Sequence, residues 1–177
     1  MRGSAASEPA PARLRWAVEL LGHRPQDRVL EAGCGTGVAA GLVCATLTTG
    51  HLLAVDRSAT AVARALARNE AYVESGVLTV RRAALAGLDV EPRSFDRAFA
   101  VNVNVFWTSP AADECAALAR ALRPGGRLCV LYDAGPTAAE RVVAGTWAAL
   151  EAAGFDGLEA VHDSAGAGVT GRAPARR

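Results

Sequence analysis

The chain of 177 residues contains no lysine; all 19 of its basic residues are arginine. That absence excludes a phosphate cradle of the GxxxxGK-Ser/Thr type and an oxidoreductase site built on a Tyr-x-x-x-Lys pair. With alanine abundant throughout, the arginine usage reflects codon bias in a GC-rich genome rather than function. Strong charge of either sign is also missing: a formal net charge of +1 does not suit a general polyanion binder, whose affinity rests on clustered cations neutralising phosphates. No apolar run reaches the roughly 18 residues that a spanning helix needs, and no secretory apolar segment stands near the start. Four cysteines, Cys34, Cys44, Cys115 and Cys129, lack a CxxC pair or metal-ligand spacing. They read as reduced core residues of a soluble, cytoplasmic protein without a metal site.

What the chain does contain is an alternation of strand-like and helix-like segments. Its length and 51% hydrophobic content suit one domain with a single core, over residues 13–177, after a loose, proline-bearing stretch over residues 1–12. Leu14, Ala17, Val18 and Leu21 share one face of a short helix that Pro25 terminates. Strand-like runs follow at Arg28 to Ala32, Leu52 to Asp56, Leu78 to Arg82, Phe95 to Val103 and Arg127 to Tyr132. Ser58 caps a helix running to about Val73; Ser109-Pro110 opens another that ends near Leu122, before Pro124-Gly125-Gly126. A third runs from about Thr137 to Ala153, with Gly154 past its end, and short strands are expected at Leu158 to Val161 and Gly168 to Thr170. Strands separated by helices imply a parallel α/β sheet.

In such sheets ligands bind outside the carboxyl ends of the strands. The first strand ends there in RVLEAGCGTG. Gly33 permits a tight turn, Gly35 lets a ligand approach the backbone, and Gly37 lets the next helix pack close, with free N–H groups at that helix's start. Cys34 fits the loop because it is small. The dinucleotide fingerprint GxGxxG is broken, since Val38 stands in place of its third glycine. LLAVDRS puts Asp56 at the neighbouring strand tip, where a carboxylate can accept hydrogen bonds from a ribose diol or cap the helix that follows.

The segments VLEAGCGTG, LLAVDRS, SFDRAFAVNVNVFW and LRPGGRL occur in the order and spacing of the class I S-adenosylmethionine-dependent methyltransferases, which the chain resembles from about Pro25 to Asp133. The resemblance implies a Rossmann-like, doubly wound, seven-stranded, mostly parallel sheet with one reversed strand and helices on both faces. It implies S-adenosylmethionine as cofactor, with Glu31 near the methionine portion, Gly33, Cys34, Gly35 and Gly37 forming the loop beneath it, and Asp56, followed by Arg57, at the ribose. Asn102 and Val103 lie beside the methionine end. Where relatives often carry an aspartate for the adenine amino group, this chain has Ala84, a loss of about 1.5 to 3 kcal/mol unless backbone near Leu85, or Asp89, compensates.

Methyl transfer from a sulfonium needs mainly in-line alignment and exclusion of water, so a base is optional. Period-2 alternation places Asp96, Ala98, Ala100, Asn102 and Asn104 on one side of the fourth strand. Both asparagines are neutral amides, suited to orienting a substrate and not to taking its proton. Phe106 and Trp107 either wall the pocket or belong to the core. Asp133, at the fifth strand's end, is a candidate base or a cap. His23 and His51 read as structural, and His162 depends on the sixth strand. The expected acceptor is a small molecule, with O, N or C as the nucleophile and with a homodimer or the helix carrying Trp16 able to complete the site. An RNA methyltransferase and a cofactor- or partner-binding protein without catalysis remain as other readings.

Overall fold

The computed structural model describes residues 9–133 and 135–175. The chain order is α1 (Ala12–Leu21), β1 (Arg28–Ala32), α2 (Val38–Cys44), β2 (His51–Asp56), α3 (Ala59–Arg68), α4 (Glu70–Glu74) and β3 (Leu78–Arg82). It continues with β4 (Phe95–Val101), α5 (Val105–Thr108), α6 (Ala112–Ala121), β5 (Leu122–Tyr132), α7 (Pro136–Ala152), β6 (Asp156–Asp163) and β7 (Gly166–Arg172). The strands form one seven-stranded sheet in the order β3-β2-β1-β4-β5-β7-β6. Neighbours from β3 to β5 are parallel, while β7 runs antiparallel to both β5 and β6. The single reversed strand is therefore β7, one place in from the edge.

Central strands buried on both faces need apolar residues on both sides. Leu30, Ala32, Leu53, Val55, Ala98, Ala100, Leu128 and Val130 face the layer of α6 and α7. Val29, Leu52, Ala54, Phe99, Cys129 and Leu131 face the opposite layer with Ala17 and Leu21 of α1 and Val43 of α2. All four cysteines are buried and free, as their small apolar character predicts. On the interior strands β4 and β5, Arg97 donates to Asp27 (2.8 Å) and to the carbonyl of Leu21 (3.0 Å), and Arg127 donates to the carbonyl of Leu20 (3.0 Å). These bonds fasten the carboxyl end of α1.

Several boundaries differ from the sequence expectation, among them the fifth strand, which begins at Leu122 rather than Arg127 because Phe95 of β4 pairs with Leu122. The fourth strand stops at Val101, two residues early, because Asn102 adopts a left-handed conformation (φ 59°), one that asparagine tolerates better than most residues. The helix expected to run from Ser58 to Val73 divides at Asn69, whose buried amide donates to the carbonyls of Gly37 (2.9 Å) and Ala65 (3.0 Å). The sixth helix opens at Ala112 rather than at Pro110, since Ala111 is left-handed (φ 48°) and its N–H donates to the Ser109 hydroxyl (3.3 Å). The last two strands are longer than expected, because they pair with each other along their length and β7 also pairs with β5. The Ser58 cap is present, accepting from the N–H of Ala61 (3.2 Å).

Candidate functional site

At the carboxyl end of β1 the chain turns away from the sheet, and the N–H groups of Gly33 (2.8 Å) and Cys34 (3.0 Å) both donate to the carbonyl of Val55 on β2. The turn lies so near the next crossover that a Cβ on Gly33 would stand 2.5 Å from Cγ2 of Val103. Gly37 ends the loop in the left-handed region (φ 76°), with Ala65 of α3 close against it. Only glycine satisfies both conditions there. Above Gly35 the opposite holds, for an added Cβ would meet nothing within 4 Å.

That free space belongs to a cavity of about 260 Å³, lined by Glu31, Gly33, Cys34, Gly35, Asn102 and Val101 from the strand tips and by Pro11, Arg13 and Leu14 from the start of α1. Glu31 is the chemically unusual member. It is only 4% exposed, and its Oε2 is buried without a hydrogen-bond partner among the described residues. Burial foremost, then the nearby Asp56 carboxylate, pushes its carboxyl up to about 8. A buried, unpartnered carboxyl costs free energy that a cationic ligand group would recover. The site therefore fits a ligand with an ammonium at this depth.

Asp56 ties the second strand tip to the glycine loop. One carboxylate oxygen accepts from the N–H of Gly35 (2.9 Å), the other from the N–H of Ser58 (2.9 Å). Arg57 is exposed beside it, and its carbonyl accepts from Nε of Arg82 (3.2 Å). Ala84 is exposed in the segment after β3, Leu85 is half-buried, and the backbone carbonyl of Asp89 is taken by Arg81 (2.8 Å).

Asn102 and Asn104, expected on one strand face, are separated by the left-handed turn. The side chain of Asn102 lines the cavity and accepts from the N–H of Asp133 (2.8 Å). Asn104 stands at the start of α5 and accepts from Trp107 Nε1 (3.3 Å). Phe106 is fully buried in the core, while Trp107 packs against Gly145 and lies under Arg141, 4.9 Å from ring centroid to guanidinium. The carbonyl of Val103 is held by the Tyr132 hydroxyl (2.9 Å), whose pKa burial pushes up to about 12. Burial likewise pushes the Cys34 thiol up to about 12, so it is no nucleophile at neutral pH. His23 and His51 contact Thr46 (2.6 Å) and Thr79 (3.0 Å) away from the cavity, and His162 lies on β6.

Sequence reasoning missed Arg13. It lines the cavity and pairs with Asp133 (Nη1 to Oδ2 3.4 Å), and both side chains remain partly in solvent. No sequence signal could single it out, because it occupies an ordinary polar position of an amphipathic helix. Only the docking of α1 over the strand tips brings it to the site.

The family described as "Methyltransferase domain" matches residues 29–126, more than half of the chain. No curated protein matches in sequence. Among solved structures, an O-methyltransferase from Thermotoga maritima described as S-adenosylmethionine-dependent is similar, with TM-score 0.76 and 15% identity over 94% of this chain and 66% of that one. A possible exported protein from Bordetella parapertussis aligns with TM-score 0.72 and 19% identity over 92% of this chain and 67% of that one. The 4+2 cyclase SpnF shares the fold as well, at TM-score 0.67 and 23% identity over 84% of this chain and 59% of its own. This chain thus spans about two thirds or less of the length of these structures.

Proposed function

The chain belongs to the class I S-adenosylmethionine-dependent methyltransferase family, and from that membership we propose that it transfers a methyl group from S-adenosylmethionine to a small-molecule acceptor. The observation that carries the reading is Glu31: a buried, unpartnered carboxyl beside a glycine loop whose next strand tip presents Asp56. In this reading Glu31 receives the ammonium of the cofactor's methionine end. Gly33, Cys34 and Gly35 support that end from below, with Gly37 fixing the loop, and Asn102 and Val103 flank it. Asp56, with Arg57 beside it, meets the ribose hydroxyls; backbone near Ala84 and Leu85 lies along the adenine.

The cofactor would supply a methyl group already activated on sulfur, so the protein's part is alignment and exclusion of water. Asn102 and Asn104 orient but cannot take a proton. In this proposal Asp133, which pairs with Arg13, is the candidate carboxylate for accepting one from an acceptor's hydroxyl or amine. A small acceptor suits the balanced formal charge of +1 better than nucleic acid does. The proposal treats residues 13–177 as one domain, places it in the cytoplasm with its thiols reduced, and lets a second copy cover the acceptor side in a homodimer. Among the described residues no helix is long and apolar enough to cross a membrane.

The test is transfer of radiolabelled methyl from S-adenosylmethionine into a metabolite extract, with Asp56→Ala as control. Labelling by the wild type and not by the variant is expected. A second reading, cofactor binding without transfer, draws on Ala84 and on the absence of a clear base among the described residues; tight binding with no labelling across broad extracts would favour it.

A further inference from the structure

The tip of the fourth strand is held in a shape it would not keep alone. Asn102 is left-handed there (φ 59°), a conformation that costs free energy in a residue with a side chain and persists only where its surroundings fix it. Three consecutive residues at the end of β5 do the fixing. The carbonyl of Leu131 accepts from the N–H of Asn102 (2.9 Å), the Tyr132 hydroxyl donates to the carbonyl of Val103 (2.9 Å), and the N–H of Asp133 donates to the Asn102 side chain (2.8 Å). Of the three, only the Tyr132 bond comes from a side chain of β5. Tyr132 is 4% exposed, and its oxygen receives the hydroxyl of Thr146 (3.5 Å), a fully buried polar group on α7. Burial holds the phenol up to about 12, so at neutral pH it is a donor and not a base. The turn it holds belongs to the site: Asn102 lines the cavity, and a Cβ on Gly33 would stand 2.5 Å from Cγ2 of Val103.

We infer that Tyr132 is a positioning residue of the methyl-donor site: its hydroxyl, oriented by Thr146, fixes the Asn102–Val103 turn against Gly33 and so sets the cavity wall without touching the cofactor. The inference rests on the reading of this cavity as part of a cofactor site and adds a residue that lies behind it. Without the hydroxyl the Val103 carbonyl loses its donor, and a turn that is unfavourable by itself keeps two bonds of three. Because Thr146 stands on α7, the same hydroxyl joins that helix to the wall. Tyr132 thus acts through Val103, on the side of the site where the methionine end is proposed to lie.

Tyr132→Phe, which keeps the ring in the core, tests this in the full chain beside Thr146→Val and a control, Val142→Ala, which removes buried methyl groups from α7 and no hydroxyl. The ligands are S-adenosylhomocysteine and methylthioadenosine, which lacks the amino-acid portion, each titrated by calorimetry. Tyr132→Phe is expected to weaken S-adenosylhomocysteine by about tenfold and leave methylthioadenosine unchanged, and Thr146→Val to do the same by about threefold. Val142→Ala should lower Tm and alter neither affinity. Hydrogen exchange at the Asn102 amide should quicken in Tyr132→Phe and not in Val142→Ala. An unchanged ratio of the two affinities in both hydroxyl variants would overturn the inference, as would equal loss of S-adenosylhomocysteine binding in Val142→Ala, which would assign Tyr132 to the core alone. A wild type that binds neither ligand at millimolar concentration would overturn the cofactor reading itself, and the exchange rates would still show whether Tyr132 holds the turn.

Discussion

The two ends of the crevice are built by different means. At the methionine end a buried carboxyl, a glycine loop and the first turn of α1 enclose a cavity, with charged groups of both signs facing it. At the adenosine end Asp56 stands at a strand tip with its oxygens on backbone N–H groups, and beyond it Arg57 and Ala84 are exposed. Electrostatic interactions gain strength away from water, so a charge recognised inside the cavity weighs more than one recognised at the open rim. Selectivity for the cofactor should accordingly reside in its amino-acid half, with the adenine held mainly by shape and backbone.

The largest expected effect comes from breaking the joint between the two ends. Asp56→Ala removes the ribose acceptor and also strands the N–H groups of Gly35 and Ser58, so S-adenosylhomocysteine affinity should fall by about a hundredfold or more. The same change should lower Tm by about 2–8 °C in a scanning melt without ligand. If affinity survives, the ribose is not at Asp56.

Next in size is the pH response of the enclosed end. Glu31 ionises near 4.5 when the chain is unfolded and is held up to about 8 when folded, by burial first and by Asp56 second. Because the folded value is the higher, the stability it confers is complete below about 4.5 and is lost as pH rises to about 8. Tm of the ligand-free protein should fall across that window, and Glu31→Gln should flatten the slope. Binding of an ammonium requires the ionised form, so affinity for S-adenosylhomocysteine should rise with pH toward 8 by up to about tenfold per unit. An affinity independent of pH would remove Glu31 from the site.

The open end can be sharpened rather than broken. Ala84→Asp should strengthen S-adenosylhomocysteine by about tenfold, and the gain should vanish with the hypoxanthine analogue, which has no amino group to donate. Smallest of all, Asn102→Gly relieves a left-handed side chain (φ 59°) but loses the bond to the N–H of Asp133, so Tm should move by less than about 3 °C.

Much of this contrast was legible in the sequence, and unevenly so. The glycine loop, Glu31 and Asp56 sit where a strand ends and a helix begins, and local patterning marks such points directly. The sheet, including its reversed strand, followed from motif order. Asn102 was singled out by its place at the end of the fourth strand, yet the left-handed turn that divides it from Asn104 depends on tertiary bonds: its N–H donates to the carbonyl of Leu131 and its side-chain oxygen accepts from the N–H of Asp133. Trp107 shows the same limit, since its packing against Gly145 joins residues far apart in the chain. Arg13 was the least legible, because its place in the cavity wall arises only when α1 docks across the strand tips.

The central claim is that the enclosed, charged end does the discriminating. Its most direct test is to titrate the wild type near pH 8 with S-adenosylhomocysteine, its hypoxanthine analogue and methylthioadenosine. Loss of the amino-acid portion should cost about a hundredfold or more, and loss of the adenine amino group less than about tenfold. The reverse order, with methylthioadenosine bound as tightly as S-adenosylhomocysteine and the hypoxanthine analogue not bound, would contradict the account.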